Sequence, residues 1–495
     1  MAEAKKRIQL GSSLAIAVAE RLRKRHGIDA FSDYSIQIGF DPDVLAKIDT
    51  LTLKNISSYD LKGLEHFPNL KNLHIVNNIS QESQVGSFTS ITDSDIMTIS
   101  KCKNLKFLTI ENQAALTKID LSQFPQLRDI KICNNPQLKI VEGVDKLSQL
   151  NSLVCYGNES LWDFPKLHEA IKKCDLWELN LDVNLFPQAI NYNFNTGAYD
   201  QAVVSKLDAR RQDVKWTQNT YSRETMTHNS TSFAIKINHA QMLNLHNKAC
   251  QILNGIISSS IHKSDIDKIL AVEQYLARNV VYDHGSLKNG NTHTIDGPST
   301  IDGSKGLLIS DGLPHGANSA YNCLMKGTCV CQGYSRGEQY LLALMNIRST
   351  AISCVGERDT IGIADSQKTW DNEHEVLLAR QYIPDHSILR IDDYYSLYSD
   401  PCWNANSWQK GDKSMHWSLR TKREISRDHT LLRFDRDIVS LDGMGLRISP
   451  KRIEQSISTN ELFARTKTSE VEEQRKQLGA QKPVFVRGMI PDGRA

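Results

Sequence analysis

The sequence predicts an α/β solenoid built from repeated units, followed by a second domain that mixes helices and strands. Three observations carry this. A pattern of apolar residues closed by asparagine recurs between Ile48 and Asn184. Helical spacing takes over from Ala240, with strand-like apolar runs further on. GTCVCQGY, Gly327 to Tyr334, sets Cys331 just before an apolar run in which Tyr340, Leu341, Leu344 and Met345 recur at helical spacing.

At 495 residues the chain exceeds what one core normally supports, so two or three domains are expected. Its 40% hydrophobic and 23% charged residues are ordinary globular values. A net charge of +2, from 59 basic and 57 acidic residues, gives no electrostatic reason to expect nucleic acid. No apolar run approaches membrane-spanning length. Composition itself names no partner.

Residues 1–47 read as an N-terminal helical cap. The apolar stretch Leu14 to Ala19 is too short for a signal peptide and runs straight into Glu20, Arg21 and Arg23. An amphipathic capping helix opened by Ser12 or Ser13 is the expectation.

Residues 48–190 hold the repeats. Units begin at Ile48, Leu70, Leu105, Leu127, Leu150 and Leu176, and the clearest are LKNLHIVNN, LRDIKICNN, LNSLVCYGN and LWELNLDVN. Asn78, Asn135, Asn158 and Asn184 land at the same place in their units. Three of the five spacings are 22 or 23 residues, and the gap of 35 after Leu70 contains a polar insertion from Ser80 to Asp95. This is the leucine-rich repeat signature, whose strand and turn recur about every 20–29 residues. Each unit cannot bury its apolar face alone, stacked units do, and the asparagine bonds backbone groups where the chain leaves the strand. Phe67-Pro68 and Phe124-Pro125 read as a repeated convex-side turn. The outward strand residues (Lys71, His74, Lys106, Thr109, Asp129, Lys131, Asn151, Glu178 and Asn180) are a mixed set. Such arrays offer a concave sheet to a protein, so a protein substrate or partner is expected there.

The ten cysteines are dispersed, and Cys102, Cys133, Cys155 and Cys174 fall inside repeat units as small apolar fillers. That argues for reduced thiols in a cytosol rather than a disulfide framework. Residues 191–239 read as a connecting region, 240–440 as the second domain and 441–495 as a C-terminal helical tail. In the second domain helices are expected over Ala240–Ile256 and Asp265–Ala277, the latter capped by Ser264. A Gly/Ser/Thr-rich stretch from His284 to Gly316 is too long for an ordinary connection.

A cysteine in the first turn of a helix sees the positive end of the backbone dipole, which favours thiolate over thiol. Downstream, WDNEHEVLL puts His374 at a strand start, and DDYYSLYSDPCW ends a strand at Asp400 with Pro401 to stop it. In an antiparallel hairpin His374 and Asp400 face each other if the turn centres on Ser387, and IPDHS has turn composition there. Asp392 and Asp393 are the competitors, requiring a tighter turn. Thiolate, imidazole and carboxylate form the set needed for nucleophilic attack on an amide. The histidine moves the proton and the aspartate orients the ring.

With these residues stated, the segment Ala320 to Gly356 resembles the core of the transglutaminase-like superfamily, a branch of papain-like thiol enzymes. Gly327, Cys331, Gly333 and Tyr334 match the pattern around its cysteine, His374 its histidine, and Asp400, Pro401 and Trp403 its Asp-Pro-x-Trp. The resemblance spans about Lys263 to His429 and implies an α+β domain with Cys331, His374 and Asp400 as catalytic residues. It implies a peptidase, deamidase or cross-linking enzyme that needs no cofactor and no metal. The chain departs from the family in having Glu375 after the histidine, a second thiol at Cys329, and the 284–316 insertion. Zinc on Cys323, Cys329 and Cys331 is disfavoured, because no C-x-x-C pair exists among them. Cys329 reads as packing, Trp403 and Tyr334 as aromatics under the site, and His429 as structural at least as well as catalytic.

Three readings stand: an active thiol enzyme on protein amides, an inert interaction module using the repeats' concave face, and a scaffold. The layout of repeats joined to a thiol enzyme also resembles bacterial proteins delivered into host cells. A cytoplasmic location, or delivery without a cleaved signal peptide, is the corresponding expectation.

Overall fold

Each repeat contributes one short strand, and the strands stack in parallel in chain order. The computed structural model describes residues 7–31, 38–77, 90–210, 212–220, 233–257, 265–283, 300–301, 307–308, 316–356, 373–382, 394–420, 422–427 and 429–431. The chain divides into two compact units, one of Met1–Tyr192 with Tyr199–Thr217, the other of Asn193–Ala198 with Gln218–Ala495.

In the first unit the strands are β1 (Thr50–Lys54), β2 (Asn72–Val76), β3 (Phe107–Glu111), β4 (Lys118–Asp120), β5 (Asp129–Cys133), β6 (Ile140–Glu142), β7 (Ser152–Tyr156), β8 (Glu178–Asp182) and, up to Thr217, β9 (Val214–Thr220). The order β1-β2-β3-β5-β7-β8 forms one parallel sheet, continued by β9, while β4 and β6 pair separately. In-register pairing lines up Leu51, Leu73, Leu108, Ile130, Leu153 and Leu179 in one inward row. Leu53, Ile75, Ile110, Ile132, Cys155 and Leu181 form the second, and all twelve are buried. Burying each such aliphatic side chain contributes about 1.5–3 kcal/mol, which is why the alternation sets the register. These are leucine-rich repeats.

The strand exits share a backbone device. Asn55, Asn112, Asn134 and Gly157, each directly after its strand, adopt left-handed φ of 52°, 60°, 57° and 73°. Asparagine and glycine tolerate that conformation where other residues do not. A polar ladder then joins the units. Asn77 Oδ1 accepts from Ile56 N at 3.1 Å, Asn135 Oδ1 from Gln113 N at 2.9 Å and Asn158 Oδ1 from Asn135 N at 3.0 Å. Asp182 accepts from the amides of Gly157 and Asn158. Asn135 and Asn158 thus act as the sequence suggests. The unit from Leu176 uses Asp182 rather than Asn184, which bonds Leu161 O instead. Asn78 lies outside the described residues, and its unit uses Asn77.

Helix α1 (Ser12–His26) buries Leu14, Ala15, Val18, Ala19 and Leu22, as an amphipathic cap should. Its start corrects the expected cap: Gly11 is the N-cap, and the Ser13 amide donates to Asp60 Oδ1 at 3.1 Å. The first repeat caps the helix, not a serine of its own. Short helices α2 (Asp93–Ile99) and α3 (Leu167–Lys173) lie in connections between strands. Residues 191–239 are more than a connector: α4 (Gln201–Ala209) packs against α3, and β9 pairs with β8 from Leu179↔Val214 to Asp182↔Thr217. Asn180, expected to face outward, is therefore buried, with Thr217 Oγ1 donating to its Oδ1 at 2.6 Å. The four cysteines of the repeats are buried, and burial pushes the Cys102 thiol up to about 12.

The second unit contains α5 (His239–Ile257), α6 (Asp265–Asn279), α7 (Cys331–Leu344) and α8 (Pro401–Gln409). Its strands are β10 (Phe233–Asn238), β11 (Val281–Tyr282), β12 (Thr300–Ile301), β13 (Leu307–Leu308), β14 (Thr328–Cys329), β15 (Arg348–Gly356), β16 (Glu373–Tyr382), β17 (Tyr394–Ser399) and β18 (His429–Leu431). Asn238 and Gln241 cap α5 reciprocally, each side chain accepting from the other's amide at 2.9 Å. An antiparallel sheet of order β17-β16-β15-β18 carries α7 on β15 and β16. α7 also packs against α6 and α8, so this unit combines helices with an antiparallel sheet. Among the described residues no helix is long and apolar enough to cross a membrane. Ser264 and most of 284–316 lie outside the described residues, as does the tail from 441.

Candidate active site

Cys331 is delivered by β14, which pairs in parallel with β11 through Val281↔Thr328 and Tyr282↔Cys329. Val330 is extended at φ −92° and ψ −178° and serves as N-cap, and its amide donates to Ala317 O at 2.9 Å. Cys331 is then the first helical residue. The glycine two positions on is required by close approach: a Cβ at Gly333 would sit 2.4 Å from both Ala317 O and Cys329 Cβ. Tyr334 turns inward and its hydroxyl donates to Val280 O at 2.7 Å, clamping this first turn to the end of α6.

The two neighbouring thiols differ in environment. Cys329 is fully buried and in contact with Cys323, and burial pushes its thiol well above the ordinary value. Such a thiol is inert packing. Cys331 is 8% exposed.

Asp400 terminates β17 and caps α8. Its Oδ1 accepts from Trp403 N at 2.9 Å, with Pro401 in the first turn where no amide is needed. Its own amide donates to Trp417 O at 3.0 Å. The second carboxylate oxygen, Oδ2, lies 3.0 Å from His429 Nε2, and both side chains are wholly buried. An ionised carboxylate only accepts, so Nε2 is the donor and Nδ1 is the acceptor nitrogen of the neutral ring. Trp403 lies against the imidazole, ring centroids 4.4 Å apart and planes tilted 40°, and meets Trp417 edge-on at 5.3 Å. β18 brings His429 into place by pairing Gly356↔His429 and Cys354↔Leu431.

The face-to-face pairing of His374 with Asp400 is not what the sheet register gives. The β16–β17 ladder ends at Leu377↔Ser399, a register offset by two from the one that would face His374 with Asp400. On its other side His374 stands opposite Cys354 of β15. The side chain of His374 lies outside the described residues, as do the turn at 383–387 and Asp392 and Asp393. The histidine on Asp400 is His429, whose strand joins the opposite edge of the sheet.

Two buried acids complete the surroundings. Glu273 of α6 accepts from Asn404 Nδ2 at 3.1 Å and from Ser418 Oγ, all three residues being buried. Burial pushes its carboxyl up to about 7, and the charge of Asp400 acts in the same direction against the hydroxyl and amide bonds. Glu338 of α7 is pushed well above the usual carboxylate range by burial, with Glu273, Asp400 and Cys323 facing it. Neither acid was singled out from sequence, although a signal was present. Glu273 sits at helical spacing from buried Ile269, Leu270, Leu276 and Ala277, so a charge interrupts an apolar face. Among the described residues no group of three or more His, Cys, Asp or Glu is arranged to hold a metal ion.

The site's chemistry is that of a thiol at a helix start in a unit that also holds a buried carboxylate–imidazole pair. No protein-family model and no curated protein sequence matches the chain. Similar solved structures include the functional domain of InlJ from Listeria monocytogenes, at 19% identity and a TM-score of 0.23 over 36% of this chain and 38% of that one. An internalin, InlF, from Listeria monocytogenes has 16% identity and a TM-score of 0.18 over 35% of this chain and 62% of its own. InlP from Listeria monocytogenes has 16% identity and a TM-score of 0.18 over 35% and 56% respectively. The chain thus spans less than two thirds of each of these structures.

Proposed function

We propose that the second unit is a thiol enzyme that hydrolyses or transfers acyl groups at protein amides, with the repeats recruiting the protein substrate. The observation that supports it best is the buried Asp400–His429 bond in the sheet on which the Cys331 helix packs. In this reading the imidazole held by Asp400 takes the Cys331 proton. The sulfur attacks the amide carbonyl, and the imidazolium then protonates the departing amine. Water reaching the acyl-enzyme gives cleavage or deamidation, and a second amine gives transfer. Asp400 stabilises the imidazolium and fixes the ring nitrogen that carries the proton. His429 is a candidate base through its bond to Asp400, and His374 is the candidate by motif order.

A second reading, a catalytically inert interaction module working through the repeat surface, has its own support: only 8% of Cys331 is exposed. Labelling the whole chain with a thiol-reactive probe separates the two. Cys331 is expected to label faster than the other cysteines, and to lose that advantage in His429→Gln. Equal labelling of wild type and Cys331→Ala sinks the nucleophile. Loss of labelling in His374→Gln, with His429→Gln unaffected, moves the base to His374. Mass spectrometry of a labelled candidate substrate distinguishes cleavage, deamidation and amine incorporation.

A further inference from the structure

Asp400 is held by three backbone segments, and each is tied to one side chain. Its amide donates to Trp417 O at 3.0 Å, and its carbonyl accepts from Asn404 N at 3.1 Å. Ser399 precedes it. Asn404 Oδ1 accepts from Trp417 N at 3.0 Å, which closes the loop onto the first turn of α8. Ser399 Oγ accepts from Leu419 N at 2.9 Å, which closes the loop onto the end of β17. The carboxyl of Glu273 bonds to Ser399, Asn404 and Ser418. It therefore reaches, within one residue, every segment that fixes the backbone of Asp400. It comes from a different element, α6, more than a hundred residues earlier in the chain.

We propose that Glu273 is a positioning residue for Asp400: its carboxyl oxygen is the common acceptor that holds β17, α8 and the 415–419 loop where Asp400 can bond His429. The inference rests on the reading of Asp400 as the acid that orients the catalytic imidazole. What the network needs from Glu273 is an acceptor at Oε2, since Asn404 Nδ2 and Ser418 Oγ both donate to it. Glutamine supplies that acceptor without charge, whereas leucine fills the volume and removes it. The charge is dispensable on electrostatic grounds too, because the Asp400 charge opposes ionisation of this carboxyl.

The test uses the full chain as wild type, Glu273→Gln and Glu273→Leu. Two quantities are read on each: the pH midpoint of the His429 ring by histidine-selective NMR, assigned against His429→Gln, and the pH profile of Cys331 alkylation by mass spectrometry. Glu273→Leu is expected to lower the His429 midpoint, because Asp400 would no longer be held against the charged ring. Alkylation of Cys331 near neutral pH should fall about tenfold. Glu273→Gln is expected to restore both. A folded Leu variant with an unchanged His429 midpoint overturns the proposal. So does a Gln variant that behaves like Leu, because charge and not the acceptor would then be responsible. If the midpoint moves while wild-type Cys331 labels no faster than the other thiols, the thiol-enzyme reading fails and the positioning role stands. Should Glu273→Leu not fold, Ser418→Ala, which removes one donor to the same oxygen, takes its place. It is expected to shift the midpoint in the same direction, and no shift overturns the proposal.

Discussion

Asp400 Oδ2 lies 3.0 Å from His429 Nε2 while Asp400 Oδ1 accepts from Trp403 N at 2.9 Å, so one carboxylate both caps a helix and holds an imidazole. The two duties separate by substitution. Asparagine keeps an oxygen for Trp403 N, and its amide nitrogen then faces His429, which obliges Nε2 to accept and moves the ring proton to Nδ1. Asp400→Asn should therefore fold near wild type; on the proposed thiol-enzyme reading it should also lose Cys331-dependent activity by a factor on the order of 10³–10⁴, the scale for a wrongly protonated triad histidine. Asp400→Ala loses the cap as well, worth about 1 kcal/mol, and leaves a buried ring unpaired at about 1–3 kcal/mol more. Urea unfolding of the two variants, beside activity, checks the separation. An Asn variant as unstable as Ala would place the whole effect in the ring.

Glu273 makes stability depend on pH in a stated direction. Burial first, and the Asp400 charge after it, push its carboxyl from 4.5 up to about 7. Between these values the folded chain keeps a proton that the unfolded chain has lost. Its stabilisation is thus full below about pH 4.5 and lost as pH rises through about 7. Glu273→Gln removes the effect, so the unfolding free energy of the variant relative to wild type should rise by on the order of 3 kcal/mol from about pH 5 to about pH 8. His246, which burial pushes down to about 4, acts with opposite sign but is common to both chains and cancels in the difference. Denaturant unfolding across that range measures it, and a constant difference would mean that Glu273 does not titrate there.

The repeats were legible because stacking identical units forces apolar residues to one period, and Leu51, Leu73, Leu108, Ile130, Leu153 and Leu179 line up as the pattern requires. The ladder was less legible. It asks only for a side-chain oxygen near the strand exit, so Gln113 and Asp182 serve as well as asparagine. The Cys331 helix start was visible in its spacing and in Gly333. The partner of Asp400 was not. A hairpin estimate links neighbouring strands, whereas His429 comes from a strand at the far edge of a four-stranded sheet, 29 residues on. Nothing in local periodicity encodes that strand order.

The ladder gives a prediction for the first unit alone. Asn158 accepts from the amide and side chain of Asn135 at 3.0 and 3.1 Å, and donates to Ile132 O at 2.9 Å. Leucine at this position leaves a buried amide and a buried carbonyl without partners. Each such loss costs about 1–3 kcal/mol, so Asn158→Leu should destabilise by on the order of 3 kcal/mol. In a stack of neighbour-dependent units the damage spreads to both adjacent repeats. Hydrogen exchange should show protection falling first in β5 and β7.

Two glycines of the second unit should respond in opposite directions to the same substitution. At Gly333 an added methyl meets Ala317 O and Cys329 Cβ at 2.4 Å, and neither the backbone carbonyl nor the packed strand can yield without moving Cys331. Gly333→Ala should destabilise by about 1–3 kcal/mol, the usual range for overpacking, and should disturb Cys331 labelling in any fraction that remains folded. Gly255, inside α5, has nothing within 4 Å of where a Cβ would stand. There alanine removes only unfolded-state freedom and a poor helix former, so Gly255→Ala should stabilise by about 0.4–1 kcal/mol. Thermal unfolding of the two variants side by side checks both signs. A Gly333→Ala chain that melts at or above the wild-type temperature would show that the first turn of the Cys331 helix is not packed against Ala317 and Cys329.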